Sequence, residues 1–299
     1  MTKISKFINH VVKRELYSNN LKEKAVRLLD ELYEEIFRIL KIYPYISTKR
    51  KYRELELLLK EEIKEFTSRY KDFLSVNIYE ISETESVWLT KFFELLGKEC
   101  EVPENLVFTL KFTPICSNSD YQSLVTKFTA TITTRVITAL KTAYLTKEST
   151  SDILKRLEHF IEQSKKSMTI DIESFNSAMF NMTDYYIFEN NESRMLYCGL
   201  LDSNVCQSCL NNSSKIFIGA EAPLVPLHER CRCFYIDADV DEDLEEMTYT
   251  SWLSHEKEEE QLKILGKSRY KLMKNGIKVN KFVNNGVKTS LNDLKTLED

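Results

Sequence analysis

Through the first two thirds of the chain, apolar residues return every third or fourth position. In NLKEKAVRLLDELYEEIFRILKIY, Leu21, Ala25, Leu28, Leu32, Ile36, Ile39 and Tyr43 follow helical spacing, with Asn20 as the candidate N-cap and Pro44 as the stop. A second helix is predicted over 49–74, through Leu55, Leu58, Leu59, Ile63 and Phe66, and a short third over 86–96. The pattern changes in CEVPENLVFTLKFTPICSNS, where two prolines flank the β-prone run LVFTLKF; this reads as a linker or a short strand pair and as a soft boundary. Helical spacing resumes over 120–145. It continues after the capping residues Ser149, Thr150, Ser151 and Asp152, and again over 170–188. From 193 to 236 the texture becomes short strands and turns: RMLYCGLL, KIFI and CRCFYI as strands, DSNVCQSC as a turn.

The pattern predicts a mainly α chain with a small α+β module. Its regions are long helices over 1–115, a second helical region over 116–192, a Cys/His module over 193–236 and a charged segment over 237–299. Only 6 Gly and 5 Pro among 299 residues agree with long helices, and charges interrupt every hydrophobic run, so no membrane span is expected. The first residues, MTKISKFINHVVKREL, are amphipathic and lack the apolar run of a secretory signal, which points to a cytosolic origin. A net charge of -4 gives no global bias toward nucleic acid. The local distribution is uneven. DADVDEDLEE contains no base, whereas residues 263–288 contain no acid and carry eight Lys or Arg. That basic stretch reads equally as a DNA-phosphate contact or as a solvated tail offset by the acidic run. The acidic face of ELELLLKEEIKEF is read as solvated helix surface, His159 as an ordinary helix histidine, and no Gly-rich phosphate loop is present.

Four of the seven cysteines fall between Cys206 and Cys233. Cys206 and Cys209 form a CxxC, the tight turn that aims two thiolates at one tetrahedral ion; His228, Cys231 and Cys233 follow in PLHERCRC. Five donors thus compete for four positions. Cys231 and Cys233, two apart on a strand, point the same way and both ligate, or His228 completes the set with one of them. Sulfur with imidazole favours Zn2+ over Mg2+ or Ca2+. Alternative readings are an empty, degenerate site; a disulfide set, for which CxC is poor geometry; a redox CxxC, which wants a βαβ setting; and a Cys nucleophile activated by His228, for which no orienting acid is visible. A closed four-ligand site leaves no position for water, so the expectation is a structural zinc staple, no catalytic residue and no enzyme.

LYCGLLDSNVCQSCLNNSSKIFIGAEAPLVPLHERCRC resembles the signature of tailed-phage minor head, or head morphogenesis, proteins of the phage Mu F-like family. Tyr197, Asp202, Cys206, Cys209, Phe217, Pro226, His228, Cys231, Arg232 and Cys233 occupy its places in order. Tyr197 stands where that family usually has Trp, NNSS stands where it has Gly, and Glu173 is the counterpart of an upstream Arg-Thr-Glu helix without its Arg. The resemblance covers residues 170–294 and is architectural before that. It implies a minor capsid protein of the virion, made in the host cytoplasm and present in several copies. Its expected partners are portal and major capsid proteins and possible double-stranded DNA, with roles in head assembly, DNA packaging and DNA ejection. Two other classes compete: a zinc-supported nuclease or toxin-like effector, disfavoured by a C-terminal segment with only His255, and a free nucleic-acid-binding zinc module, disfavoured by the acidic balance.

Overall fold

The computed structural model describes residues 3–116, 118–198, 209, 212–213, 215–228, 231, 233–239, 257–284 and 287–297. Helices α1 (Lys3–Lys41), α2 (Lys49–Leu96), α4 (Tyr121–Thr146) and α5 (Thr150–Asn190) pack on one another, and the short α3 (Leu106–Lys111) lies against α2 and α5. Strands β1 (Arg194–Cys198), β2 (Ile216–Ile218) and β3 (Phe234–Asp237) form an antiparallel sheet in the order β2-β1-β3. The expected class, mainly α with a small α+β module, is the one observed.

Three of the long helices start on a side-chain cap. Thr48 accepts from the Lys51 amide and Asp120 from the Ser123 amide; Ser149 and Asp152 form a reciprocal capping box at α5. Gly97 closes α2 in the left-handed region at φ 76°, where a side chain would be strained.

The structure corrects several expected boundaries. Asn20 does not cap α1; it lies exposed in the interior of a helix whose buried stripe begins earlier, at Phe7 and Arg14. The helices expected over 49–74 and 86–96 are one 48-residue rod, about 72 Å long at 1.5 Å per residue. Its stripe continues between them as Asn77, Ile78, Ile81, Ser82 and Glu85, and the polar members of that stripe made the break seen in sequence. Likewise the two helices expected after Ser149 are the single α5. The β-prone LVFTLKF is neither linker nor strand pair: Leu106 and Leu110, one helical turn apart, are buried, while Phe108 and Phe112 face out.

Those polar positions are partnered across the bundle. Arg14 Nη2 donates to Glu85 Oε1 at 2.6 Å and to Asp184 at 2.8 and 2.9 Å, joining α1, α2 and α5 through side chains at most 7% exposed. His10 Nε2 meets both Glu85 oxygens at 2.8 and 2.9 Å, and its ring stacks on Trp88. Asn77 accepts from Tyr17, and Tyr33 meets Ser164.

One hydrophobic core runs from Phe7 to Ala238 and includes both helices and sheet; Phe234 of β3 stacks on Phe7 of α1 at 5.8 Å. Lys98, just past α2, pairs with buried Asp237 at 2.9 Å and so ties the end of β3 to the bundle. The C-terminal residues hold a second cluster, Leu265, Leu272, Ile277, Phe282 and Leu294. It draws on α6 (Glu258–Lys274), a 3-10 turn and α7 (Leu291–Lys295); the same stretch contains a two-stranded ribbon of β4 (Val283–Asn284) and β5 (Val287–Lys288). The basic stretch is therefore folded around its own core and is not a loose tail. Among the described residues, no helix is long and apolar enough to cross a membrane.

Candidate metal centre

The sheet brings distant parts of the sequence to one place. Tyr197 pairs with Tyr235 and Cys198 with Phe234, so the residues that lead into β3 return to the end of β1. Cys209 begins a tight turn in which the Ser213 amide donates to its carbonyl. His228 and Cys231 are joined by a second turn, with the Cys231 amide donating to the His228 carbonyl at 3.1 Å. Ser177 of α5 donates its hydroxyl to the Cys231 carbonyl at 2.9 Å, which fixes this turn on the helical body. Tyr235 donates to the Pro223 carbonyl at 2.6 Å and holds the connection between β2 and β3.

Cys209, His228 and Cys231 then meet. Cys209 Sγ lies 3.4 Å from His228 Nε2 and 3.8 Å from Cys231 Sγ. A tetrahedral ion with metal–sulfur bonds of about 2.3 Å and metal–nitrogen bonds of about 2.0 Å spaces two sulfurs about 3.8 Å apart, and sulfur from nitrogen about 3.5 Å. The observed separations match both edges, and the three donor atoms all lie within 4.8 Å of one another. These three residues can hold a metal ion. The 3.8 Å separation also excludes a disulfide between Cys209 and Cys231, which needs about 2.05 Å.

Of the expected donors, Cys209, His228 and Cys231 come together, Cys233 stands beside them in contact with the other two sulfurs, and Cys206 lies outside the described residues, as do Asp202 and Arg232. His159 is paired with Gln163 on the surface of α5, and Glu173 with Lys22 of α1 at 2.8 Å, so neither belongs to the cluster. Sequence reasoning missed Cys198, which is 9% exposed on β1 and close to Cys233; a thiol inside an alternating strand carries no spacing signal. No family model, curated protein or solved structure matches the chain.

The electrostatics of the sulfurs follow from their crowding. Contact with Cys231 and Cys233, and then burial, drive the Cys209 thiol far up. Contact with Cys209 and Cys233 instead brings Cys231 down to about 2. Contact with Cys209 lowers Cys233, but Cys231 and burial outweigh it and leave the thiol at about 12. Sulfurs crowded together in a buried site disfavour ionising all of them at once. A divalent ion would supply the charge that lets its neighbours ionise, so loading releases protons. Sulfur and imidazole, buried and anchored on a rigid helix, suit a soft or borderline ion.

Proposed function

We propose that the chain is a minor capsid, or head morphogenesis, protein of a tailed bacteriophage, and that its Cys/His cluster holds a structural Zn2+. One observation carries this reading. Cys209, His228 and Cys231 occupy three places of the ordered minor-head signature and approach to tetrahedral spacing across 22 residues. Cys233, and Cys206 by its CxxC spacing, are the candidates for the remaining position. The ion would act as a staple. A module of three short strands has little core of its own, so a metal that joins the turn before β2 to the turn before β3 fixes the sheet on the bundle. The zinc supplies cross-linking and no reaction step.

In this reading the long helices present contact surface to portal and major capsid proteins. The C-terminal subdomain offers exposed Lys267, Lys271, Lys274, Lys278 and Lys281 to the phosphates of packaged double-stranded DNA. The test has two parts. Metal analysis of the purified full chain should find about one zinc per chain, lost in Cys209→Ser together with thermal stability. Mass spectrometry of purified virions should detect the chain as a low-copy head component. Zinc-free protein of unchanged stability would refute the staple, and absence from virions would refute the head assignment. DNA binding by the full chain should fall steeply with salt, and binding that ignores salt would remove DNA from the partners.

A further inference from the structure

An open cleft of about 660 Å3 lies between α1 and α2, near the first turns of one and the last turns of the other. The two helices run antiparallel: His10 meets Glu85, Tyr17 meets Asn77 and Glu31 meets Arg69. The apolar lining of the cleft comes from Val12 of α1 with Trp88, Phe92 and Leu95 of α2. Val12 and Leu95 stay exposed in the free chain. Its cationic lining is Lys6 and Lys13 on one helix and Lys91 on the other, and among the described residues no Asp or Glu lines it. In a chain of net charge -4 this is a local reversal of sign. The wall is shaped in advance. His10, which also lines the cleft, is held by both Glu85 oxygens at 2.8 and 2.9 Å, and Glu85 is in turn held by Arg14. The Trp88 ring stacks on that imidazole at 3.7 Å and on Phe92 at 5.1 Å, while Phe7 meets Trp88 and Phe92 edge-on from the core. The buried ion pairs of the bundle thus fix the shape of a surface feature, and a pre-shaped surface loses little entropy when something docks on it.

We infer that this cleft is the docking site for an acidic amphipathic helix of a partner protein. This rests on the reading of the long helices as protein-contact surface, and adds which face is used and what kind of partner it takes. Lys6 and Lys13 stand seven residues apart, as do Trp88 and Leu95, which is about 10 Å along each axis. Two turns of a third helix match that length, and its ridges can seat between those of α1 and α2. Its apolar stripe would cover Val12, Trp88 and Leu95, while Asp or Glu on both flanks of the stripe would meet the lysines of both walls. A phosphate backbone would satisfy the lysines and leave the apolar lining uncovered. A bilayer is met by a projecting apolar face, and this one is concave.

The test uses the full chain as bait for a displayed library of helical peptides about 15 residues long. Selected peptides should share an apolar i, i+3, i+4, i+7 stripe flanked by Asp or Glu. Their synthetic forms are titrated by fluorescence polarisation against wild type, Lys13→Glu/Lys91→Glu and Val12→Glu. All three altered residues are exposed, so the fold is kept, which circular dichroism verifies. Both variants should weaken binding about 10-fold or more, and wild-type binding should weaken as salt rises. A selection without binders, selected peptides that lack acidic flanks, or equal affinity for the charge-reversed chain would overturn the inference. Other occupants give different results. A wild-type dimer in light scattering that is lost in Lys13→Glu/Lys91→Glu would assign the cleft to a second copy of the chain. Co-sedimentation with phosphatidylserine vesicles, lost in the same variant, would assign it to a lipid surface. Peptide binding gained only with Asp241→Asn, Glu242→Gln and Asp243→Asn would assign it to the chain's own acidic run. Each of these would replace the partner helix. None of them alters detection of the chain in virions, so failure of the cleft and failure of the head assignment are read separately.

Discussion

Arg14 and Asp184 lie 170 residues apart in sequence and meet at 2.8 Å in the centre of the helical bundle, with Glu85 on the same guanidinium nitrogen. This contact makes α1, α2 and α5 one unit, and it places two carboxyls around one arginine in a region closed to water. Burial is the largest cost to the Arg14 charge, but the two carboxyls outweigh it and hold the guanidinium protonated. Removing the arginine while leaving the acids should be costly. Arg14→Met is expected to destabilise the fold by about 3–5 kcal/mol, as for other broken buried ion pairs. Urea unfolding followed by circular dichroism reads this directly, and a loss below about 1 kcal/mol would contradict it.

The two carboxyls should give pH effects of opposite sign. Burial raises Glu85, but Arg14 and His10 outweigh it and hold its carboxyl below the ordinary value of 4.5. Its contribution is therefore present above that value and is lost as the pH falls through the lower, folded one. Burial, together with the neighbouring Glu85, drives Asp184 well above 3.8 despite Arg14. Folding therefore favours its protonated form, and stability declines as the pH rises from 3.8 toward the folded value. Glu85→Gln should flatten the acid side of the stability profile, and Asp184→Asn should remove the decline above pH 3.8. Denaturant midpoints across pH distinguish the two, and identical profiles for both variants would contradict the assignment.

The capping box at α5 predicts a smaller loss. Ser149→Ala removes the acceptor for the Asp152 amide and should cost about 1 kcal/mol. The lowered melting temperature should be accompanied by faster hydrogen exchange in the first turn of α5, with the rest of that helix unaffected.

Ser177→Ala tests how the metal centre is anchored. It deletes the donor to the Cys231 carbonyl and should cost about 1 kcal/mol. Because the bond holds a ligand-bearing turn against α5, the loss should be larger for metal-loaded protein than for protein stripped by chelator. Thermal melts with and without chelator make that comparison, and equal losses in both states would separate the bond from the site.

Lys98→Met tests the attachment of the sheet. Asp237 is 0% exposed and would keep, among the described residues, the Ser193 hydroxyl and the Asp239 amide as donors. A loss of about 1–2 kcal/mol is expected, as for an imperfectly satisfied buried polar group. Protease sensitivity should rise first at residues flanking β3.

Much of this was legible in the chain. Residues 21–41 and 121–145 are helical because their apolar spacing needs only a partner surface. RMLYC, IFI and FYID are strands because alternation and β-prone residues are local properties. The Cys/His spacing named Cys209, His228 and Cys231 among the candidate donors, and the structure brings these three to where they could hold a metal ion. The misreadings have one cause. At Asn77, Ser82 and Glu85 the buried stripe of α2 turns polar, and a polar residue on a buried face is indistinguishable from a helix end until its partner is known. For Glu85 that partner is Arg14, 71 residues away. LVFTLKF failed in the same way: seven residues fit a strand or a helical turn, and burial of Leu106 and Leu110 against α2 and α5 decided between them.

By itself the sequence determined the helical class, the cap of α5, the strand segments and the chemistry available to the cluster, because each depends on residues within a few positions of one another. Only the tertiary structure decided that two predicted helices are one, that Arg14 serves two acids from different helices, and that Ser177 of α5 holds the turn at Cys231. Those relationships depend on strand register and helix packing, which bring side chains together across separations that local spacing does not encode.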